Sequence, residues 1–161
     1  MRSWSAMACV AEFRDVCYHV QQQQEPQAGG TMEQVTLDNN VTYSFDRKKT
    51  LGQGNQGSVF KAKSADGSLI ALKIAEKKSS RDDREYTNLL KIKHPSVVKV
   101  LGHATVKYGG SEYLAIGMEL VGGESYDQYL QRNGKIDWQE AADDFRQLIT
   151  GMQAVHEQVL I

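Results

Sequence analysis

The sequence predicts an α+β fold, with a β-rich first part and a helical second part. Three observations carry this. Between residues 41 and 120, short alternating or apolar runs recur between glycines, as strands do. One helical pattern, ended by His94-Pro95, interrupts them, because a residue before proline avoids the α region. After Gly122-Gly123 the apolar residues fall at spacings of three and four, the period of a helix. The predicted order is three strands, a helix, two strands and then helices.

Residues 1–40 are set apart from the rest. Gln21 to Gln24 form a polar run, Pro26 and Gly29-Gly30 follow, and no hydrophobic period persists. That composition predicts a disordered extension. From Val41 the texture changes. Residues 42–45 and 47–51 read as strand, and residues 58–63 alternate, with Val59 and Lys61 on one face and Phe60 and Ala62 on the other. Ala65-Asp66-Gly67 is a hairpin turn signal. Residues 69–75 form the next strand, placing Leu69, Ala71 and Lys73 on one face and Ile70, Leu72 and Ile74 on the other.

Ser80 and Asp83 suggest a capping box for the helix that follows. Its apolar stripe is Tyr86, Leu89, Leu90 and Ile92, with Glu85 at the edge. Residues 97–106 and 113–120 read as two more strands, and residues 125–132 as a short helix. The last and longest helix, capped near Asp137, carries Ala141, Phe145, Leu148, Ile149, Met152, Val155 and Val159 at helical spacing.

The 161 residues suffice for one domain with a real core. A net charge of −1 gives no footprint for nucleic acid or a membrane surface. Both cysteines, Cys9 and Cys17, lie in the first seventeen residues without CxxC spacing, which fits a reducing compartment. No apolar run reaches the length of a bilayer span, and Glu12 and Arg14 interrupt any signal-like start. A soluble, cytoplasmic protein is expected. No metal site is readable: His94 and His156 read as structural, and His19 and His103 have no partner at ligand spacing.

Chemistry concentrates in Leu51-Gly52-Gln53-Gly54-Asn55-Gln56-Gly57-Ser58-Val59. A dinucleotide-binding turn with this glycine spacing runs from strand to helix. Here the glycines lead into Ser-Val-Phe-Lys-Ala-Lys, a strand, which suits a flap folded over phosphates or an ordinary glycine-rich hairpin. On the next strand Lys73 shares a face with Leu69 and Ala71. An inward ammonium is costly unless paired, and phosphate and carboxylate are its natural partners. Glu85, twelve residues on, supplies a carboxylate. Singly, Lys73 could be a solvated strand lysine and Glu85 an exposed helix carboxylate; loop, lysine and glutamate in this order point to one nucleotide site.

From about Phe45 to Ile161 the chain resembles the eukaryotic-type protein kinase family. GQGNQGSV matches its glycine-rich loop, Ala71-Leu72-Lys73 its lysine strand, and Glu85 its ion-pair glutamate nine residues before His94-Pro95. Met118-Glu119-Leu120-Val121-Gly122-Gly123-Glu124 is similar to its hinge, and residues 145–156 to its long helix. The resemblance implies a five-stranded antiparallel sheet plus one helix over residues 41–118, a hinge at 119–124, and the first helices of an incomplete α-rich lobe at 125–161.

By that resemblance ATP is the cofactor. Gly52, Gln53, Gly54 and Gly57 cover its phosphates, and Lys73, held by Glu85, pairs with the α- and β-phosphates. Leu51, Val59 and Ala71 clamp the adenine, Met118 controls access behind it, and the backbone of Glu119 and Val121 bonds its edge. Glu124 reaches the ribose. Met118 also reads as core filling and Glu124 as a solvated helix-start carboxylate.

The family's His-Arg-Asp and Asp-Phe-Gly motifs do not occur in the sequence. Mg²⁺ is expected to arrive with ATP, with protein ligands outside this chain. The expectation is therefore the ATP-binding part of a Ser/Thr protein kinase, itself inactive; a truncated pseudokinase-type binding module is the alternative. The last helix is expected to expose apolar surface that a partner chain could cover.

Overall fold

The computed structural model describes residues 32–54, 57–77 and 86–159. Glu85, the Ser80–Asp83 capping box, Asn55, Gln56 and the expected disorder of residues 1–31 lie outside the described residues.

The chain forms a six-stranded antiparallel sheet, one strand more than expected, in the order β1-β2-β3-β4-β6-β5. The strands are β1 (Met32–Thr36), β2 (Thr42–Gly54), β3 (Gly57–Ser64), β4 (Leu69–Glu76), β5 (Val100–Tyr108) and β6 (Ser111–Glu119). Two helices follow, α1 (Tyr126–Asn133) and α2 (Trp138–Val159). Residues 86–89 are also helical.

The extra strand corrects the expected boundary of disorder at residue 40. β1 pairs with β2 from Met32↔Asp46 to Thr36↔Thr42. Val35 and Leu37 are buried, with 4% and 2% of their surface exposed. Two apolar residues in a polar stretch make no readable period; β2, a partner distant in neither space nor sequence, supplies the register that orders them.

The sheet curls until its two edges meet. Beyond β1, the Asp38 N–H donates to the His103 carbonyl at 2.8 Å, and the His103 N–H donates to Asp38 Oδ1 at 2.9 Å. Asn39 Nδ2 donates to the Leu101 carbonyl at 3.2 Å. These bonds satisfy groups on β5 that an edge strand leaves open. Leu37 fits a notch made by two paired glycines, Gly102 and Gly117. A Cβ on Gly117 would lie 2.4 Å from Leu37 Cδ1, so a larger residue would displace the Leu37 side chain. At the other end of β1, Glu33 pairs with Arg47 at 3.3 Å, and the Arg47 guanidinium lies 4.1 Å from the centre of the Tyr108 ring on β5.

β2 is one strand where the sequence suggested two. Its pairing with β3 steps from Phe45↔Ala62 to Thr50↔Phe60, so residues 46–49 bulge out, with the Lys48 N–H turned onto Asp46 Oδ1. The turn at residues 65–66 forms as its sequence suggested: the Gly67 N–H reaches the Ser64 carbonyl at 3.0 Å and Asp66 accepts from Ser68. Gly67 takes φ +91°, a conformation that favours glycine.

One face of the sheet carries the main core: Val35, Leu37, Tyr43, Phe45, Phe60, Ala62, Ile70, Leu72, Ile74 and Ala115. On the opposite face Tyr86 packs with Leu114, Ile116 and Met118, flanked by Ala71, Val98 and Val100. Residues 92–97 connect this part to α2, through Ile92 and Val97 against Val155. Gly151 makes the contact close, since a Cβ there would lie 3.1 Å from Ser96 Cβ. His94 is structural: its Nδ1 accepts the Ser96 N–H. Ser125 caps α1 in a reciprocal box with Gln128, and Asp137 accepts the Gln139 N–H at the start of α2.

Candidate nucleotide-binding site

Cross-strand register brings the predicted site residues into rows. Gly52 of β2 pairs with Val59 of β3, Val59 with Lys73 of β4, and Lys73 with Ile116 of β6. Directly paired residues share a sheet face. Two residues along, Ala71 pairs with Met118 and stands on that same face. The alternation read from the sequence is therefore correct for β4: Ile70, Leu72 and Ile74 enter the main core, while Ala71 and Lys73 face the opposite side.

Val59 is 2% exposed, Met118 4% and Lys73 6%. A nearly buried ammonium between an apolar floor and a glycine hairpin requires anionic neighbours to stay charged. Met118 packs against Tyr86 and Ile116 beside Ala71, so it fills space at the back of this face.

The glycine hairpin closes with Gly54 opposite Gly57. Gly57 has φ +116°, and a Cβ there would stand 2.3 Å from the Ile74 carbonyl oxygen. Any side chain would both strain the backbone and push β3 off β4. The third glycine of the motif is thus demanded by strand packing, whatever lies above the hairpin. Leu51 and Gly52 are half-buried, and Gln53 and Gly54 are exposed on the rim.

Beyond β6 the chain leaves the sheet. Glu119 is anchored by its N–H to the Lys99 carbonyl, and its Oε1 accepts the Lys99 N–H, both at 2.9 Å. Val121 is half-buried, and Gly123 takes φ +110°. Glu124 forms an ion pair with Arg132 in the last turn of α1.

The residues that sequence reasoning missed lie on the far edge. His103, without a visible partner at ligand spacing, bonds Asp38 Oδ2 through Nδ1 at 2.7 Å. Its ring lies 4.0 Å from the Tyr86 ring. The 65-residue separation of Asp38 and His103 leaves no local signal.

Comparison with known proteins now adds a second line. Residues 45–161 match the protein kinase domain family. The chain belongs to the protein kinase family. It is 33% identical over 124 residues to a G-type lectin S-receptor-like serine/threonine-protein kinase of Arabidopsis thaliana, covering 73% of this chain and 14% of that protein. A second Arabidopsis kinase of that type is 30% identical over 141 residues, covering 82% of this chain and 18% of the relative. NUAK family SNF1-like kinase 2 of Rattus norvegicus is 25% identical over 130 residues, covering 76% and 20%. The chain spans a fifth or less of the length of these relatives.

The curled antiparallel sheet followed by helices is the smaller lobe of a kinase and the start of the larger one. In kinase terms β2 to β6 are the five strands of that lobe, and β1 is added at its edge. Among the described residues no group of three His, Cys, Asp or Glu side chains could hold a metal ion. Among the same residues no helix is long and apolar enough to cross a membrane.

Proposed function

We propose that this chain is the nucleotide-holding part of a serine/threonine protein kinase domain, taking ATP as the phosphoryl donor for a protein hydroxyl. The observation that carries the reading is Lys73, nearly buried in one row with Gly52 and Val59 beneath the glycine hairpin. That donor set fits a nucleotide: a fixed cation for phosphate, backbone N–H groups of a glycine turn beside it, and an apolar floor for a purine. ATP when bound supplies the transferable phosphoryl group and brings its Mg²⁺.

In this reading Lys73 holds the α- and β-phosphates, with Glu85 as its carboxylate partner. Gly52, Gly54 and Gly57 let backbone approach the phosphate oxygens. Leu51, Val59 and Ala71 contact the adenine, Met118 limits the depth behind it, and the backbone of Glu119 and Val121 meets its edge. Glu124, which also pairs with Arg132, reaches the ribose hydroxyls. The 161 residues contain neither His-Arg-Asp nor Asp-Phe-Gly, so the chain alone binds nucleotide without transferring phosphate. The relatives' printed names support the serine/threonine class.

The test is a thermal shift of the chain with Mg·ATP. Wild type should gain stability with rising nucleotide concentration, as any ligand of the folded state confers. Lys73→Met should remove that gain; without ligand it should melt below wild type, because the carboxylate partner is left unpaired, so the nucleotide shift is read against the variant's own baseline. A Lys73→Met variant that keeps the full nucleotide shift would sink the reading.

A further inference from the structure

The contacts around His103 form a path between the segment after β1 and the helical residues 86–89. Asp38 makes three bonds to this one residue: its N–H to the carbonyl, Oδ1 to the N–H and Oδ2 to the ring Nδ1. The His103 imidazole, so fixed at both ends, lies against the Tyr86 ring at 4.0 Å. Tyr86 is 1% exposed and packs on Leu114, Ile116 and Met118, the wall behind Ala71 and Lys73. Its hydroxyl is buried with no hydrogen-bond partner among the described residues. Burial, and then the Asp38 carboxylate, push that hydroxyl far above the ordinary tyrosine range. Burial alone would raise the Asp38 carboxyl; the bonds from His103 outweigh it and hold the group below its ordinary range.

A buried tyrosine with an unmatched hydroxyl is not held by hydrogen bonding. Ring packing fixes it, and the ring it meets is fixed from outside the helix, by Asp38. We infer that Asp38 and His103 are positioning residues, and that the segment after β1 sets the placement of Tyr86 and, through it, of the Leu114–Ile116–Met118 wall behind Lys73. The functional half of this inference rests on the nucleotide-site reading above; the mechanical half does not. It gives β1 a role beyond closing the sheet: release of residues 37–39 from β5 loosens the wall behind the lysine.

The experiment is amide hydrogen exchange on the full chain, read separately for residues 86–92 and for β3 and β4, with Mg·ATP affinity measured alongside. Asp38→Ala should speed exchange at the Leu90, Lys91 and Ile92 amides, which close the turns on Tyr86, Asn88 and Leu89. The expected acceleration is roughly ten-fold, the equivalent of one charge-assisted hydrogen bond. β3 and β4 should be unchanged. Asp38→Asn keeps an acceptor for the His103 N–H and should recover most of the protection. His103→Phe keeps a ring against Tyr86 and both backbone bonds to Asp38 but loses the ring bond to Asp38 Oδ2, and should speed exchange at the same amides by a smaller factor than Asp38→Ala; it decides the matter if Asp38→Ala does not fold. Unchanged exchange at residues 86–92, or equal acceleration throughout the sheet, overturns the inference. ATP affinity should fall several-fold in the same variants; faster exchange with unaltered affinity overturns the functional half. A wild-type chain that binds no ATP would defeat the nucleotide reading instead, and the exchange result would still decide the coupling.

Discussion

Strand β4 and helix α2 both carry apolar residues at the period of their structure, and they use them in opposite ways. β4 is covered on both sides. Ile70, Leu72 and Ile74 enter the main core, and Lys73, on the other face, is still only 6% exposed. α2 is covered on one side only, and not the more apolar one. Asp144, Gly151 and Val155 are its buried residues, while Trp138, Phe145, Ile149 and Met152 are 74%, 63%, 52% and 53% exposed. The open side forms a groove lined by Trp138, Ala141, Phe145, Arg146 and Ile149. The strand lies in a finished structure, whereas the helix presents a face still suited to burial.

The largest expected effect is in the strand. Leu72 has no exposed surface, so Leu72→Ala should cost about 3 kcal/mol, measured by denaturant unfolding. Phe145→Ala, a larger truncation on paper, should cost far less. Equal losses would erase the contrast.

Gly57→Ala comes next. The positive φ and the 2.3 Å approach to the Ile74 carbonyl together predict a loss of about 2 kcal/mol or more, with weaker ATP binding. A neutral Gly57→Ala would mean that the β3–β4 packing yields there.

Asp144 tests the buried side of α2. Burial first, and then the Glu140 and Asp143 carboxylates, raise its carboxyl above the ordinary range, and its Oδ2 has no hydrogen-bond partner among the described residues. Because the folded form holds the proton more tightly than the unfolded one, the cost of the charge is fully present at neutral pH. It is relieved as pH falls through the raised value. Asp144→Asn should therefore raise the melting temperature slightly at pH 7, and the gain should vanish in acid. A loss at pH 7 would show that the charge has a useful partner.

The smallest stability effect belongs to Phe145→Glu, within about 0.5 kcal/mol of wild type. Its readout is the binding of a hydrophobic dye, which should fall clearly. An undiminished dye signal would locate the exposed apolar surface elsewhere than α2.

Most of the sheet was legible because its period and its turns are local. The alternation in residues 69–75 places Lys73 opposite Leu72, and Asp66-Gly67 makes the turn before it. β2 was legible in two pieces because the bulge at residues 46–49 breaks its alternation. The site was legible as residue types in order, and their register then assembled Gly52, Val59 and Lys73. The ion pair of Glu124 with Arg132 was not legible, since nothing in its neighbourhood marks a partner eight residues on.

Local chemistry settled the glycine hairpin, the inward lysine, the helix caps and the family itself, because each depends on neighbours within a few positions. Long-range packing settled β1 and the Asp38–His103–Tyr86 contact. Two apolar residues at Val35 and Leu37 specify nothing alone; they gain a place only when β2 offers a register and Gly102 and Gly117 offer a notch. Packing also chose which side of α2 to cover. Helical period announces that a face exists, but its burial depends on what stands opposite, and opposite α2 stand Ser96 and Val97 on one side only.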